Sequence, residues 1–287
     1  MKKIKIKSFC KINLSLRVLK KLSNGYHNIN SLITFCDPHD VISICKINNL
    51  HDEINFSGKF KSGINKNSNT ITNVLFLLRK NNFIKKQAFK INIQKNIPHG
   101  SGLGSGSSNA ANLLNFFNLK MNLKLNKNKI NKIARQIGFD VPINLEKKNT
   151  LLIGKKGKIL RLNQKFGLYI LIVYPNVICS TKKIYENNKK FTFSEHQHNF
   201  DISNKKKLIH FLKNENNDLE KTVVKFYPKV RKIIDFIKAQ DGCYFSRITG
   251  SGSACIGIFS DMKSTIFAQK LIRSRFPKYW SVASKTI

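Results

Sequence analysis

A run of glycines and serines, Pro98-His99-Gly100-Ser101-Gly102-Leu103-Gly104-Ser105-Gly106-Ser107-Ser108, separates two segments of different periodicity. Before it, Ala88 to Gln94 alternates apolar and polar residues and reads as a strand. After it, Asn109 to Leu119 sets Ala110, Leu113, Leu114 and Phe117 on one helical face. A loop needs this much glycine where the backbone takes positive φ and another group comes very close. The helix behind it aims N–H groups and the positive end of its dipole at the loop, so the natural guest is a phosphate chain. No Gly-Lys-Ser/Thr closes the run, and its third glycine is out of register for a dinucleotide fingerprint. A flexible linker is the plainer reading, and the tight strand–loop–helix setting argues against it. A second loop, Thr249-Gly250-Ser251-Gly252-Ser253-Ala254, is by itself equally a close-packed turn. Paired with the first, it suggests a backbone cradle closing on one ligand.

Apolar residues make up 41% of the 287 and charged residues 23%, which excludes wholesale disorder. The charge balance is unusual: 52 basic against 15 acidic residues gives +37. Such a field attracts phosphates, nucleic acid and anionic membrane surfaces. Lys outnumbers Arg roughly five to one, however, and lies scattered among Asn and Ile, whereas Arg is the better tool for bidentate phosphate and base recognition. The scatter favours chain-wide compositional drift; selection for a polyanion stays open as the second reading. The interleaved exposed aromatics of a single-strand stacking platform are missing, so neither a specific nucleic acid nor a membrane is expected as partner. The six Cys form no C-x-x-C pair, which suits a reducing cytoplasm. Leu168 to Tyr174, the longest strongly apolar stretch, is far short of a membrane span. Lys5, Lys7, Lys11 and Asn13 interrupt what would have to be an apolar signal core. A soluble cytoplasmic protein is expected.

Along the first segment, Ile4, Ile6, Cys10, Ile12, Leu14, Leu16 and Val18 hold the even positions. That period predicts one long half-buried strand, with Lys11, Asn13 and Ser15 sharing its non-core face. Asn24-Gly25 predicts a hairpin turn, returning through strands over 31–36 and 41–47. Helices are expected over 70–80 and over 127–137, the latter stopped by Gly138 at its C-cap. A Gly154–Gly157 turn marks a domain boundary near 155, giving domains 1–155 and 156–287. Beyond it, the pattern predicts a strand over 167–174 and a polar loop from Asn187 to Lys207. Helices follow over 218–226, 230–238 and 267–275, with a strand leading out of the second Gly/Ser loop. Strands and helices mix without strict alternation, so the fold class is α+β rather than a doubly wound sheet.

Asp140 draws notice because acids are scarce; its plain reading is an N-cap before Pro142. Lys11 is equally readable as one more solvated lysine on a polar strand face. Brought together beside a phosphate chain, the lysine would keep the aspartate ionised and help neutralise developing phosphate charge.

Five motifs now occur in order. They are Lys11-Ile12-Asn13-Leu14 with Asn24-Gly25-Tyr26-His27, the loop Gly102 to Ala111, Gly138-Phe139-Asp140-Val141-Pro142, Asn217-Asp218-Leu219-Glu220, and Thr249 to Ala254. Together they resemble the GHMP small-molecule kinase superfamily, in its version for a cytidine-bearing substrate. The resemblance implies a two-domain fold with an N-terminal domain like domain 2 of ribosomal protein S5 and a ferredoxin-like C-terminal domain. The active site would lie in the cleft between them. It implies transfer of the ATP γ-phosphoryl to the 2-hydroxyl of 4-diphosphocytidyl-2-C-methyl-D-erythritol, a step of the non-mevalonate route to isoprenoid precursors. By position, Asp140 would orient and deprotonate that hydroxyl, Lys11 would stabilise charge beside it, and Asn13 would help hold the arrangement. Tyr26 and His27 would bind the cytidine end, with Tyr185 supplying a further stacking ring. Residues Pro98 to Ser108 would wrap the ATP phosphates. Such a kinase should also use Mg²⁺ bridging phosphate oxygens, though no carboxylate declares itself as the ligand. The chain departs from the family at Phe9-Cys10, where Pro-Ala is usual, and at Ser101 and Ser105, where Gly is common. Two rival readings are a superfamily kinase for homoserine or mevalonate, and an RNA-binding protein using its basic surface.

Overall fold

A computed structural model of the chain describes residues 3–23, 25–154, 157–192 and 204–287. In chain order these form β1 (Ile4–Asn13), β2 (Arg17–Lys21), β3 (His27–Ile47), β4 (Glu53–Ser57), α1 (Thr70–Lys80), β5 (Ala88–Gln94), α2 (Ser105–Lys120), α3 (Lys127–Ile137), α4 (Val141–Asn144), β6 (Thr150–Ile153) and β7 (Lys158–Arg161). There follow β8 (Tyr169–Tyr174), α5 (Thr181–Glu186), α6 (Lys205–Asn214), α7 (Glu220–Phe226), α8 (Lys229–Lys238), β9 (Cys243–Ile248), β10 (Cys255–Phe259), α9 (Met262–Arg275) and β11 (Trp280–Lys285). By contact the chain gathers into two compact units, each assembled from separate stretches. The first is Met1–Cys10, Pro38–His99 and Gly104–Lys147; the second is Lys11–Asp37, Gly100–Leu103 and Lys148–Ile287. The boundary expected near 155 falls at positions outside the described residues, as do Asn24 of the expected turn and 193–203 of the expected polar loop.

In the first unit, β5 lies parallel to β4 and antiparallel to the second half of β3, with Val41 opposite Gln94 and Ile47 opposite Ala88. Alternation does the sorting. Ile42, Ile44, Ile91 and Ile93 are fully buried and share a core with Val74, Leu78, Leu113, Leu114 and Phe117 of the helices. Helix α1 starts with a capping box: the Asn69 side chain accepts from the Ile71 and Thr72 N–H groups, and the Thr72 hydroxyl accepts from the Asn69 N–H. Helices α1 and α3 and strand β5 run over the expected residues. Gly138 does sit at the C-cap of α3, but with extended backbone, φ 174°, rather than in the left-handed turn.

In the second unit, β2 and the first half of β3 form the expected hairpin, with Gly25 at φ 81°. β6 pairs with β3 and β7 with β6. A separate antiparallel sheet has the order β11-β8-β10-β9, with α8 against β9 and β10 and α9 against β8 and β11. This is the β-α-β-β-α-β arrangement of the ferredoxin-like fold. Gly257 of β10 lets α8 come close: a Cβ there would stand 2.3 Å from Ile237 Cγ2.

Some expectations fail for tertiary reasons. The single first strand breaks at Leu14–Ser15, where both N–H groups turn to Leu32 O, and Leu16 N–H then bonds Asn216 O. Nor is that strand half-buried throughout: from Ser8 to Leu16 both faces are covered apart from half-buried Phe9. The two returning strands are one, His27–Ile47, because Asp37 and Pro38 stay extended. Helix α6 starts inside the expected loop; Asn204 caps it, and Leu208, Ile209 and Leu212 give it a buried stripe. β4, β6, β7, β11 and α5 carry too little pattern of their own to be foreseen.

Gly257→Ala should lower stability by about 1–3 kcal/mol through overpacking against Ile237. In urea denaturation that loss should be smaller when measured in an Ile237→Ala background, which removes the clashing Cγ2.

Candidate functional site

In the second unit the two glycine-rich loops meet backbone to backbone. Ser101 O accepts the Ala254 N–H at 2.9 Å, and a Cβ on Gly102 would sit 2.2 Å from Thr249 O. A Cβ on Gly250 would in turn stand 2.9 Å from Gly102 O. Gly102 and Gly250 have φ of +83° and +56°, so the left-handed conformation and the close approach both require glycine. The segment joining β8 to α5 braces both loops. Cys179 N–H donates to Gly100 O at 3.1 Å, the Thr181 and Ser251 hydroxyls pair at 2.9 Å, and the Ser253 hydroxyl donates to Val177 O.

The same contact fixes Lys11 and Asn13. Lys11 N–H donates to Leu103 O at 3.0 Å, and Asn13 N–H donates to the Thr249 hydroxyl at 2.8 Å. The Lys11 ammonium donates to Asn13 Oδ1 at 2.8 Å, while Asn13 Nδ2 donates to the Ser31 hydroxyl at 2.7 Å. Lys11 is only 3% exposed, so its reading as a solvated lysine does not hold. The Lys11 ammonium is thus buried against an amide partner that Thr249 and Ser31 hold from two sides.

The segment Asn217 to Glu220 builds the floor under the second loop. Asn217 Nδ2 donates to Gly250 O at 2.8 Å and to Ile248 O at 3.2 Å, and a Glu220 carboxylate oxygen accepts the Ile248 N–H at 3.0 Å. Burial pushes the Glu220 carboxyl up, against the pull of its hydrogen bond and of Arg231 and Arg247. Arg247, driven down to about 10 by burial against the pull of Glu220 and Glu215, donates to Leu14 O and Leu212 O. Sequence reasoning noted the segment but gave its residues no task. Its signal in the sequence is its place as one of the five ordered motifs.

His27 has the Tyr185 ring at 5.1 Å and the Phe191 ring stacked at 6.4 Å. Burial, aided by Lys21, moves its imidazole below the ordinary 6.5 and favours the neutral ring. Tyr26, adjacent in sequence, is 63% exposed. Phe191 was not foreseen, since it sits in a polar tract without periodicity.

Pro98, His99, Gly104 to Ser108 and Asp140 belong to the first unit. Helix α2 starts at Ser105, not Asn109, so Ser105 to Ser108 are its first turn rather than loop. Gly104, left-handed at φ 65°, is its N-cap and has no side chain to satisfy the first N–H groups. Ser108 donates to Phe9 O and Ser8 donates to Ser108; His99 Nε2 meets Ser62 O at 2.8 Å. Asp140 precedes α4, but its carboxylate does not cap it.

Among the described residues no group of three or more His, Cys, Asp or Glu could hold a metal, no helix is long and apolar enough to cross a membrane, and all six cysteines are free thiols.

Residues 69–146 match the GHMP kinases N terminal domain family and 198–278 the GHMP kinases C terminal family. A 4-diphosphocytidyl-2-C-methyl-D-erythritol kinase of Pelagibacter ubique is 39% identical over the full length of both chains. The chain belongs to this kinase family. An Anaplasma phagocytophilum member is 31% identical over all of this chain and 96% of its own. A crystal structure of 4-(cytidine 5'-diphospho)-2C-methyl-D-erythritol kinase superposes with TM-score 0.77 at 20% identity, covering 99% of each chain. A homoserine kinase of Cytophaga hutchinsonii reaches TM-score 0.74 at 17% identity, covering all of this chain and 95% of its own, so shape alone shows the two-domain GHMP kinase fold and no more.

Gly102→Ala should destabilise by about 2 kcal/mol or more, from left-handed strain plus overpacking. Gly106→Ala, where the nearest atom to a Cβ is 3.7 Å away, should be neutral or stabilise by up to about 1 kcal/mol; thermal melts compare the two. For His27 the sign follows from its lowered value. Its contribution to stability is complete above pH 6.5 and is lost as pH falls through the folded-state value. His27→Gln should therefore flatten the fall of Tm below pH 6.5.

Proposed function

We propose that the chain uses ATP to phosphorylate the 2-hydroxyl of 4-diphosphocytidyl-2-C-methyl-D-erythritol in the non-mevalonate route to isoprenoids. The observation that carries this reading is identity of 39% over the whole of both chains with a kinase of that name. The five motifs in family order support it residue by residue. Homoserine and mevalonate kinases share the fold, but the Tyr26-His27 segment fits a cytidine-bearing substrate.

Phosphoryl transfer passes through a loose transition state, so positioning and charge stabilisation do most of the work. Residues Pro98 to Ser108 wrap the ATP phosphates, using backbone N–H groups and the α2 dipole. Lys11, aimed by Asn13, stabilises charge at the reacting phosphoryl group. Asp140 orients the acceptor hydroxyl and takes its proton. His27, Tyr185 and Tyr26 hold the cytidine end by stacking and hydrogen bonding. Mg²⁺, when bound, would neutralise phosphate oxygens while keeping several of its waters. A cytoplasmic setting agrees with the free thiols.

Purified protein with ATP, Mg²⁺ and the cytidylyl substrate should release ADP. Asp140→Asn should cut kcat by about 10²–10⁴-fold, the range for a general base, while ATP affinity measured by calorimetry stays within a few-fold. Near wild-type turnover would remove Asp140 from the mechanism. CDP should protect the protein from thermal unfolding and homoserine should not.

A further inference from the structure

Beneath the start of α2, the first unit holds a buried ion pair that the proposed chemistry does not use. Asp40 is fully buried and Lys95 is 2% exposed. One oxygen of the Asp40 carboxylate accepts the N–H groups of Asn96 at 2.8 Å and Ile97 at 3.0 Å, the two residues just before Pro98. The other oxygen accepts the Lys95 ammonium, the Ser105 hydroxyl at 3.1 Å and Asn109 Nδ2 at 3.0 Å. Lys95 also donates to the Ser105 hydroxyl. Ser105 and Asn109 lie in the first and second turns of α2, so a single carboxylate ties the residues before the Gly/Ser loop to those after it.

The geometry points to Asp40, Lys95 and Ser105 as positioning residues that fix both ends of the phosphate loop and so set its affinity for ATP. This rests on the reading that the loop takes ATP. A buried ion pair is a poor device for stability alone, since apolar residues of similar volume often do as well. It suits a junction where one carboxylate must satisfy two backbone donors and three side chains at once. A carboxylate near the α2 N-terminus would by itself occupy the positive dipole end and repel a phosphate. Lys95 neutralises it and leaves that end for the ligand. Burial pulls the Lys95 ammonium below its ordinary value, and the adjoining Asp40 carboxylate opposes that pull. Ser105, standing where the family commonly has Gly, adds the hydroxyl that joins helix to ion pair.

The test uses Asp40→Asn and, because that variant removes a buried charge and can fail to fold, also Ser105→Ala. Each is read by ATP KM and Kd, by the KM of the alcohol substrate, and by hydrogen exchange of segment 96–109 without nucleotide. The ATP KM and Kd should rise about tenfold, as loss of one charge-assisted hydrogen bond would give, with the alcohol KM unmoved and faster exchange in the segment. ATP affinity within about twofold of wild type, a parallel rise of both KM values, or unchanged exchange would overturn the proposal. Absence of ATP binding by the wild-type protein would sink the kinase reading instead. Exchange in the nucleotide-free variants would still decide the tie itself.

Discussion

The contact on which the second unit's site depends is one of backbone against backbone. Gly102 and the Thr249–Gly252 turn approach too closely for either to carry a side chain at the touching points. Because Leu103 O receives the Lys11 N–H and the Thr249 hydroxyl receives the Asn13 N–H, loosening that contact would release the strand bearing both residues. Asn217 and Glu220 hold the turn from beneath, and the 177–181 segment holds both loops from the side. A lysine shielded from water keeps its direction only if its partners cannot relax, and Asn13 is itself anchored by Thr249 and Ser31.

Charge is arranged on a second principle. The chain has only 15 acids, and several are buried or nearly so as architectural groups. Asp40 pairs with Lys95, Glu215 with Arg17 and Asp218 with Lys190, while Glu220 faces Arg247. Asp40 and Glu220 oppose cations that burial would otherwise make costly, whereas exposed Lys190 neutralises the buried Asp218. Surface pairs such as Lys182–Glu186 add little. The scarcity of acids makes those that remain informative, and Asp140, which precedes α4 without capping it, is the one to which the proposed mechanism gives the acceptor's proton.

Much of this was legible in the sequence. Period-two and period-3.6 patterns placed β5, α1 and α3, and the Gly/Ser runs marked both loops. What was misread shares one cause. The alternation from Ile4 to Val18 predicted a polar face in water, but Lys11, Asn13 and Ser15 are buried. Ser105 to Ser108 looked like loop because Ser and Gly are weak helix formers. They are helical because α2 buries Ser108, Asn109 and the apolar face behind them. Phe191 and Asn217 could not be assigned roles, since ring stacking on His27 and support of Gly250 link residues far apart in the chain.

The sequence by itself determined the α+β class, the family and the residue types available for phosphoryl transfer, because periodicity and ordered motifs are local properties. Only the tertiary structure decided that the compact units interleave along the chain, that Thr249 and Ser31 anchor the Asn13 that meets Lys11, and that Asp40 joins both ends of a loop. Those facts depend on long-range hydrogen bonds and close approaches, which no local pattern encodes.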